Sequence, residues 1–159
     1  MSAVRYVHTN IVARDWRSLA RFYVRVFDCE IVPPERDLSG GWLEDLTSIA
    51  DARLQGAHLA LPGYPDNGPT LELFTYSPQE RQQGDRLINR EGLGHIAFSV
   101  DDVEQTVQRI LLEGGSILGK VVRKRFDALG MLTVAYCQDP EGNYVEVQHW
   151  SRDVQETQK

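Results

Sequence analysis

Cysteine is scarce: Cys29 and Cys137 are the only two in 159 residues, too few and too far apart to build a disulfide scaffold. Both are expected to be reduced, small and buried. No apolar run approaches the roughly 18 residues of a membrane-spanning helix, and MSAVRYVHTN lacks the apolar core of a secretory leader, so a cytoplasmic protein with no membrane partner is expected. Basic charge is also outnumbered, with 17 Lys and Arg against 23 Asp and Glu and a net charge of −6. No Lys/Arg stripe is present to track a phosphate backbone, which argues against nucleic acid as a partner. At 159 residues and 42% hydrophobic content, the chain suits one compact domain, or two small modules sharing an interface, and is too short for two independent enzymes.

What is present is an internal repeat. HTNIVARDWRSLARFYVRVF from His8 and HIAFSVDDVEQTVQRILLEG from His95 share one plan at an offset of 87 residues. Each opens on His, continues as a short apolar stretch, reaches an Asp placed to cap a helix (Asp15, Asp102), and then becomes helically periodic. Trp16, Leu19, Ala20, Tyr23, Val26 and Phe27 form the first apolar stripe, and Val103, Val107, Ile110 and Leu111 the second. Gly114 and Gly115 are a plausible stop for the second helix, and Pro33 and Pro34 follow the first after a short strand. The tails match as well, GPTLELF around Glu72 and GNYVEVQ around Glu146, at an offset of 74. The 13-residue difference between the offsets is placed in PPERDLSGGWLEDLTSIADA, read as a long loop with a helical turn.

Strands are expected at 5–13, 30–32, 53–61 and 70–76, then at 93–100, 116–122, 131–138 and 143–149. The fold class is therefore α+β: two tandem β-α-β-β-β modules forming a curved, mostly antiparallel sheet around a trough. The whole chain, 1–159, is read as a single domain, with module 5–76 and module 93–150 joined by a polar linker at 77–92.

The repeat sets His8 against His95 and Glu72 against Glu146. Strand alternation leaves Leu71 and Leu73, or Val145 and Val147, on the face opposite each Glu, so the helices belong on that face and the chemistry on the other. Taken singly, a strand Glu faces solvent and a strand His makes a structural hydrogen bond. As matched pairs, two imidazoles and two carboxylates inside a trough call for one divalent metal to offset their burial. Nitrogen and carboxylate donors without thiolate suit Zn, Ni, Co, Fe or Mn. Four protein ligands in an octahedral shell leave two adjacent positions for neighbouring oxygens of a small-molecule substrate.

HTNIVARD, LELF, GLGHIAFSV and DPEGNYVEV together resemble the vicinal oxygen chelate superfamily, which includes glyoxalase I, methylmalonyl-CoA epimerase, extradiol dioxygenases and bleomycin or fosfomycin resistance proteins. The resemblance runs from about Tyr6 to His149. It implies a metal held by His8, Glu72, His95 and Glu146, the His-Glu-His-Glu set of glyoxalase I. Epimerases commonly have Gln where Glu72 stands. Dioxygenases and fosfomycin-modifying members typically use two His and one Glu, and bleomycin-binding members generally lack the set.

The implied activity is that of a lyase or isomerase, of glyoxalase I or acyl-CoA epimerase type, abstracting a proton α to a carbonyl. Glu146 is the first candidate base and Glu72 the second. An extradiol-type dioxygenase and a metal-free small-molecule binding protein of antibiotic-resistance type are the alternatives. Where short bacterial glyoxalases place Arg and Asn to hold glutathione, this chain has Val12 and Tyr76, which speaks against glutathione. A homodimer is implied, with the metal within one chain or between two. Among the remaining residues, Arg123-Lys124-Arg125 reads as a solvated turn, with an anion clamp for an acidic substrate as the alternative. Trp42 and Leu43 read as either a lid or a surface loop, His58 and His149 as structural, and Trp150 as packing.

Overall fold

The strand and capped helix that open each half of the repeat form twice. The computed structural model describes residues 4–81 and 83–151. Gln82 of the expected linker, and residues 1–3 and 152–159 of the expected 1–159 domain, lie outside the described residues. The chain divides between Gly84 and Asp85 into two compact units. Both combine helices with a mixed sheet, which makes the fold α+β. No helix among the described residues is long and apolar enough to cross a membrane.

The first unit comprises β1 (His8–Val12), α1 (Trp16–Phe27), β2 (Glu30–Ser39), α2 (Gly41–Thr47), β3 (Arg53–Ala60) and β4 (Thr70–Ser77). Its sheet order is β1-β4-β3-β2, with β1 parallel to β4 and the other pairs antiparallel. As expected, Asp15 caps α1, its carboxylate accepting the backbone amides of Arg17 and Ser18. The helix ends on Asp28, in the left-handed region at φ 56°, a conformation Asp tolerates better than most residues. α1 packs on β3 and β4. It buries Leu19, Ala20, Tyr23 and Val26, while the strands bury Leu59, Leu71 and Leu73. Each such large apolar side chain contributes roughly 1.5–3 kcal/mol, so this face, more than helix propensity, holds α1 in place.

The segment expected to be a loop after 30–32 is mostly regular structure. β2 continues to Ser39, interrupted between Val32 and Arg36, where Pro33 and Pro34, joined by a cis peptide, have no amide to donate. α2 then buries Leu43 in a small second core with Ala52, Leu54 and Phe74, against which Leu38, Ile49 and Tyr76 also pack. The indole of Trp42 turns outward and donates to the Ser39 carbonyl. The insertion is therefore packed structure, neither a lid nor a free loop.

The second unit comprises β5 (Ile96–Ser99), α3 (Val103–Leu112), β6 (Ser116–Ile117), β7 (Val122–Phe126), β8 (Gly130–Gln138) and β9 (Tyr144–Ser151). Its order is β5-β9-β8-β6, with β7 also on β8, and β5 is parallel to β9. Asp102 caps α3 through the amide of Gln105, and the chain leaves the helix through Gly114 at φ 88°. Val103, Val107 and Ile110 are buried on α3, which packs on β8 and β9, where Ala135, Cys137, Val145 and Val147 are buried.

The strand expected at 116–122 is two strands, β6 and β7. Arg123-Lys124-Arg125 accordingly lies in a strand rather than a turn. The break repeats that of β2. Pairing steps from Val32↔His58 to Arg36↔Gly56 in the first unit, and from Ile117↔Cys137 to Val122↔Val134 in the second, two extra residues in each case. The 13-residue excess of the first half is also divided: about eight residues sit in the β2–β3 connection that carries α2, and about four in the β3–β4 connection.

Candidate metal centre

Glu72 sits at the middle of three strands. On one side the parallel register sets Asn10 of β1 beside it, with His8 two residues earlier on the same face. On the other side the antiparallel register sets His58 of β3 directly opposite. The side chains follow the register. His58 Nε2 is 3.0 Å from Glu72 Oε1, His8 Nε2 is 3.5 Å from Oε2, and the Asn10 amide donates to Oε2 at 2.9 Å. The Glu72 side chain is 12% exposed, so these partners stand where most of its water would be. The other ring nitrogen of His58, Nδ1, is 2.9 Å from the Thr70 hydroxyl. Burial holds the His58 imidazole below its ordinary pKa of 6.5, against the opposite pull of Glu72.

One glycine makes this arrangement possible. A β-carbon on Gly56 would stand 2.0 Å from the Leu73 carbonyl oxygen and 2.2 Å from Phe74 Cδ1. The Phe74 ring therefore crosses the Gly56 backbone, and it meets the His58 ring edge-on with centroids 6.1 Å apart.

The second unit repeats the motif with different chemistry. His95 immediately precedes β5, and its Nε2 is 3.0 Å from Oε2 of Glu146 on β9. Opposite Glu146 on β8 stands Tyr136, the register equivalent of His58, and its ring lies 5.1 Å from that of His95. The Tyr136 hydroxyl pKa is raised by burial, by the Glu146 charge and by a hydrogen bond to that carboxylate, so the phenol stays protonated. Beside Glu146 on β5 the register places Ala97 where the first unit has Asn10. Glu146 consequently lacks the amide contact that Glu72 receives.

Each expected His therefore meets its expected Glu, pair by pair. Sequence reasoning read His58 as structural and gave no role to Asn10 or Tyr136; the fold sets all three against the paired glutamates. His149 is structural as expected, its Nδ1 2.8 Å from the Val100 carbonyl. Trp150 packs with Phe126 at 5.5 Å. On β7, Lys124 pairs with Leu132, which pairs with Trp150, so alternation carries Lys124 to the Glu146 face. Arg123 points the other way and bonds Glu104 of α3 at 2.6 Å. Cys29 and Cys137 are free and buried, their thiol pKa values pushed up by burial to about 12 and about 11.

The donor set fits a divalent ion. The ligand atoms of His8, His58 and Glu72 all lie within 4.8 Å of one another. With metal–ligand bonds of about 2.0–2.2 Å, donors on opposite sides of an ion stand at most about 4.4 Å apart, so only small side-chain adjustments separate this cluster from a coordination shell. Imidazole and carboxylate donors without thiolate suit Zn, Ni, Co, Fe or Mn.

The family model described as Glyoxalase/Bleomycin resistance protein/Dioxygenase superfamily matches residues 5–147. A lactoylglutathione lyase of Schizosaccharomyces pombe is 25% identical over 161 residues, covering 92% of this chain and 48% of that protein. The chain thus spans about half the length of that curated relative. Among solved structures, a glyoxalase family protein from Bacillus cereus superposes with a TM-score of 0.73 at 17% identity, covering 94% of each chain. A glyoxylase/bleomycin resistance protein/dioxygenase domain from Frankia sp. EAN1pec gives 0.60 at 18% identity, covering 96% of this chain and 95% of that one. The fosfomycin resistance protein FosX of Listeria monocytogenes, solved with Mn(II) and sulfate, gives 0.52 at 13% identity, covering 95% and 94%. At these identities the likeness to solved structures is one of fold.

Proposed function

Because the chain belongs to the Glyoxalase/Bleomycin resistance protein/Dioxygenase superfamily, we propose that it is a cytoplasmic, metal-dependent lyase or isomerase that abstracts a proton α to a carbonyl. His8 and Glu72 from one module, and His95 and Glu146 from the other, form the ligand set, the two modules acting as a single domain. A homodimer is part of the proposal, with the module pairs drawn from one chain or from two. The observation that carries the reading is the duplicated His–Glu contact, 3.5 Å in the first unit and 3.0 Å in the second, on matched strands of a repeat.

A bound divalent ion would supply Lewis-acid stabilisation of the oxyanion charge that grows as the proton leaves carbon. The rest is the work of this chain's own groups. Glu146 takes the proton. Its carboxylate is 15% exposed and lacks the amide contact that Asn10 gives Glu72, which leaves it the freer of the two to move and accept a proton. Tyr136, protonated and bonded to Glu146, steadies that carboxylate and donates less to it once it is neutral. Glu72, held by Asn10 and His58, is the second base, and return of the proton from one or the other face decides between a hydrogen shift and epimerisation. Val12 is exposed on the His8 face of β1, and Tyr76 packs against the core around Leu43. Neither supplies a charged hold for glutathione. Lys124, on the Glu146 face, suits an acidic carrier better.

The test is solvent exchange. Metal-loaded protein in deuterium oxide is given 2-oxo hemithioacetals and 2-methylacyl thioesters, and the substrate carbon is monitored by NMR. Deuterium is expected at the α position with wild-type protein, and not with folded, metal-loaded Glu146→Gln. Absence of exchange into every substrate by fully loaded wild-type protein would overturn the proposal in favour of sequestration or oxygen chemistry.

A further inference from the structure

Resting on the metal reading above and extending it, we propose that His58 is itself a metal ligand, making the first module a self-sufficient site of two imidazoles and one carboxylate for a divalent transition metal. Three independent placements support it. The register puts His58 directly across from Glu72, with Nε2 3.0 Å from the carboxylate, as close as any His–Glu pair in the described chain. The donor atoms of His8, His58 and Glu72 fall within 4.8 Å of one another, and the two rings meet edge-on with centroids 5.6 Å apart, so both can turn a nitrogen toward one point without stacking.

The third placement is the support behind the ring. A ligating imidazole uses one nitrogen for the metal and gives the other N–H to a nearby acceptor, which fixes tautomer and orientation. Thr70 Oγ1, 2.9 Å from His58 Nδ1, is that acceptor, and it is carried on the same strand as Glu72, two residues earlier. With Nδ1–H donated to Thr70, the Nε2 lone pair faces the Glu72 carboxylate. Two electron-rich groups at 3.0 Å then call for a cation between them. Without a metal, Nε2–H donates to Glu72 and Thr70 turns its hydroxyl to Nδ1; one tautomer switch converts one state to the other.

Among the described residues the second module has no counterpart. Tyr136 occupies the equivalent position, and a protonated phenol is a poor ligand for these ions. The duplicated fold is therefore unequal as a metal binder, with three donors in one half and two in the other. The half with three holds the ion alone, and His95 and Glu146 add to a shell already begun.

The test uses Co(II) with the full chain. Each coordinated His gives one hyperfine-shifted, solvent-exchangeable N–H proton resonance. Wild type is expected to show three, from His8, His58 and His95, and His58→Ala two, with affinity for Co(II) weaker by at least about tenfold. The double variant His95→Ala/Glu146→Gln is expected to retain one Co(II) with two such resonances. Thr70→Val leaves all ligands in place and is expected to weaken binding by about 10–100-fold, which keeps the proposal open to test if His58→Ala does not fold. Unchanged affinity and resonance count in folded His58→Ala would overturn the role of His58 while leaving the four-ligand reading intact. Loss of all Co(II) from the double variant would overturn the self-sufficiency of the first module. Wild-type protein that takes up no Co(II) would sink both readings together.

Discussion

Gly56→Ala is the substitution in which packing and site meet most directly. The added methyl would stand 2.0 Å from the Leu73 carbonyl oxygen and 2.2 Å from Phe74 Cδ1. Neither neighbour yields easily, because Leu73 is fully buried and Phe74 is 7% exposed within the core around Leu43. Overpacking of this kind costs about 1–3 kcal/mol, and the involvement of backbone places this case at the upper end, near 3 kcal/mol. For a chain of this size that corresponds to a fall in Tm of roughly 6–12 °C. β3 and β4 must separate at the Gly56↔Phe74 pair, two residues along the strands from His58↔Glu72 and on the same face, so metal affinity should fall as well. Urea denaturation of the metal-free protein gives the first quantity and Co(II) titration the second. A variant within about 0.5 kcal/mol of wild type, inside the range of an ordinary surface substitution, would refute the claim that Phe74 and the β3–β4 pairing hold the site in shape.

Three further outcomes follow from the same structure. Leu43→Ala should lower stability by about 2–5 kcal/mol in urea denaturation, the cost of emptying a core position; an effect on substrate binding with no loss of stability would instead restore α2 as a lid. Asp37 has its pKa lowered to about 2 by hydrogen bonds from Arg53 and Gln55 and by the Arg53 charge. The unfolded chain therefore takes up this proton first, and stability lent by the ionised carboxylate, complete above the ordinary value of 3.8, is lost as pH falls toward 2; Asp37→Asn should flatten acid-unfolding curves in that window, and an unchanged curve would count against the pairing. Cys29 and Cys137, buried with pKa values near 12 and 11, should resist a thiol-specific disulfide reagent at pH 8 in folded protein and both react in guanidinium; prompt labelling of the folded protein would contradict their burial.

The features legible in the sequence were those that repeat with a fixed spacing. Asp15 and Asp102 stand seven residues after His8 and His95, and both cap helices as their positions suggested. Leu71, Leu73, Val145 and Val147 alternate around the two glutamates, and all four are buried. The duplicated break in β2 and in β6–β7 was not legible, because two prolines cause it in one module and no proline stands at the equivalent place in the other. His58 escaped for a related reason. It precedes Glu72 by 14 residues and Tyr136 precedes Glu146 by 10, so unequal connections hide an equivalence that strand register makes plain. The two residues also differ in chemistry, and a repeat read by matching residue types passes over a position that has diverged. Asn10 and Ala97 are the same kind of case, two residues past the paired histidines.

The central claim is that histidines and glutamates from both modules bind one metal. Equilibrium dialysis against Zn(II), Co(II) and Mn(II), followed by elemental analysis, tests it most directly. The account predicts about one ion per chain for wild type, with His8→Ala and Glu146→Gln each needing a higher free metal concentration to reach the same occupancy. Wild-type affinity in both variants would contradict it.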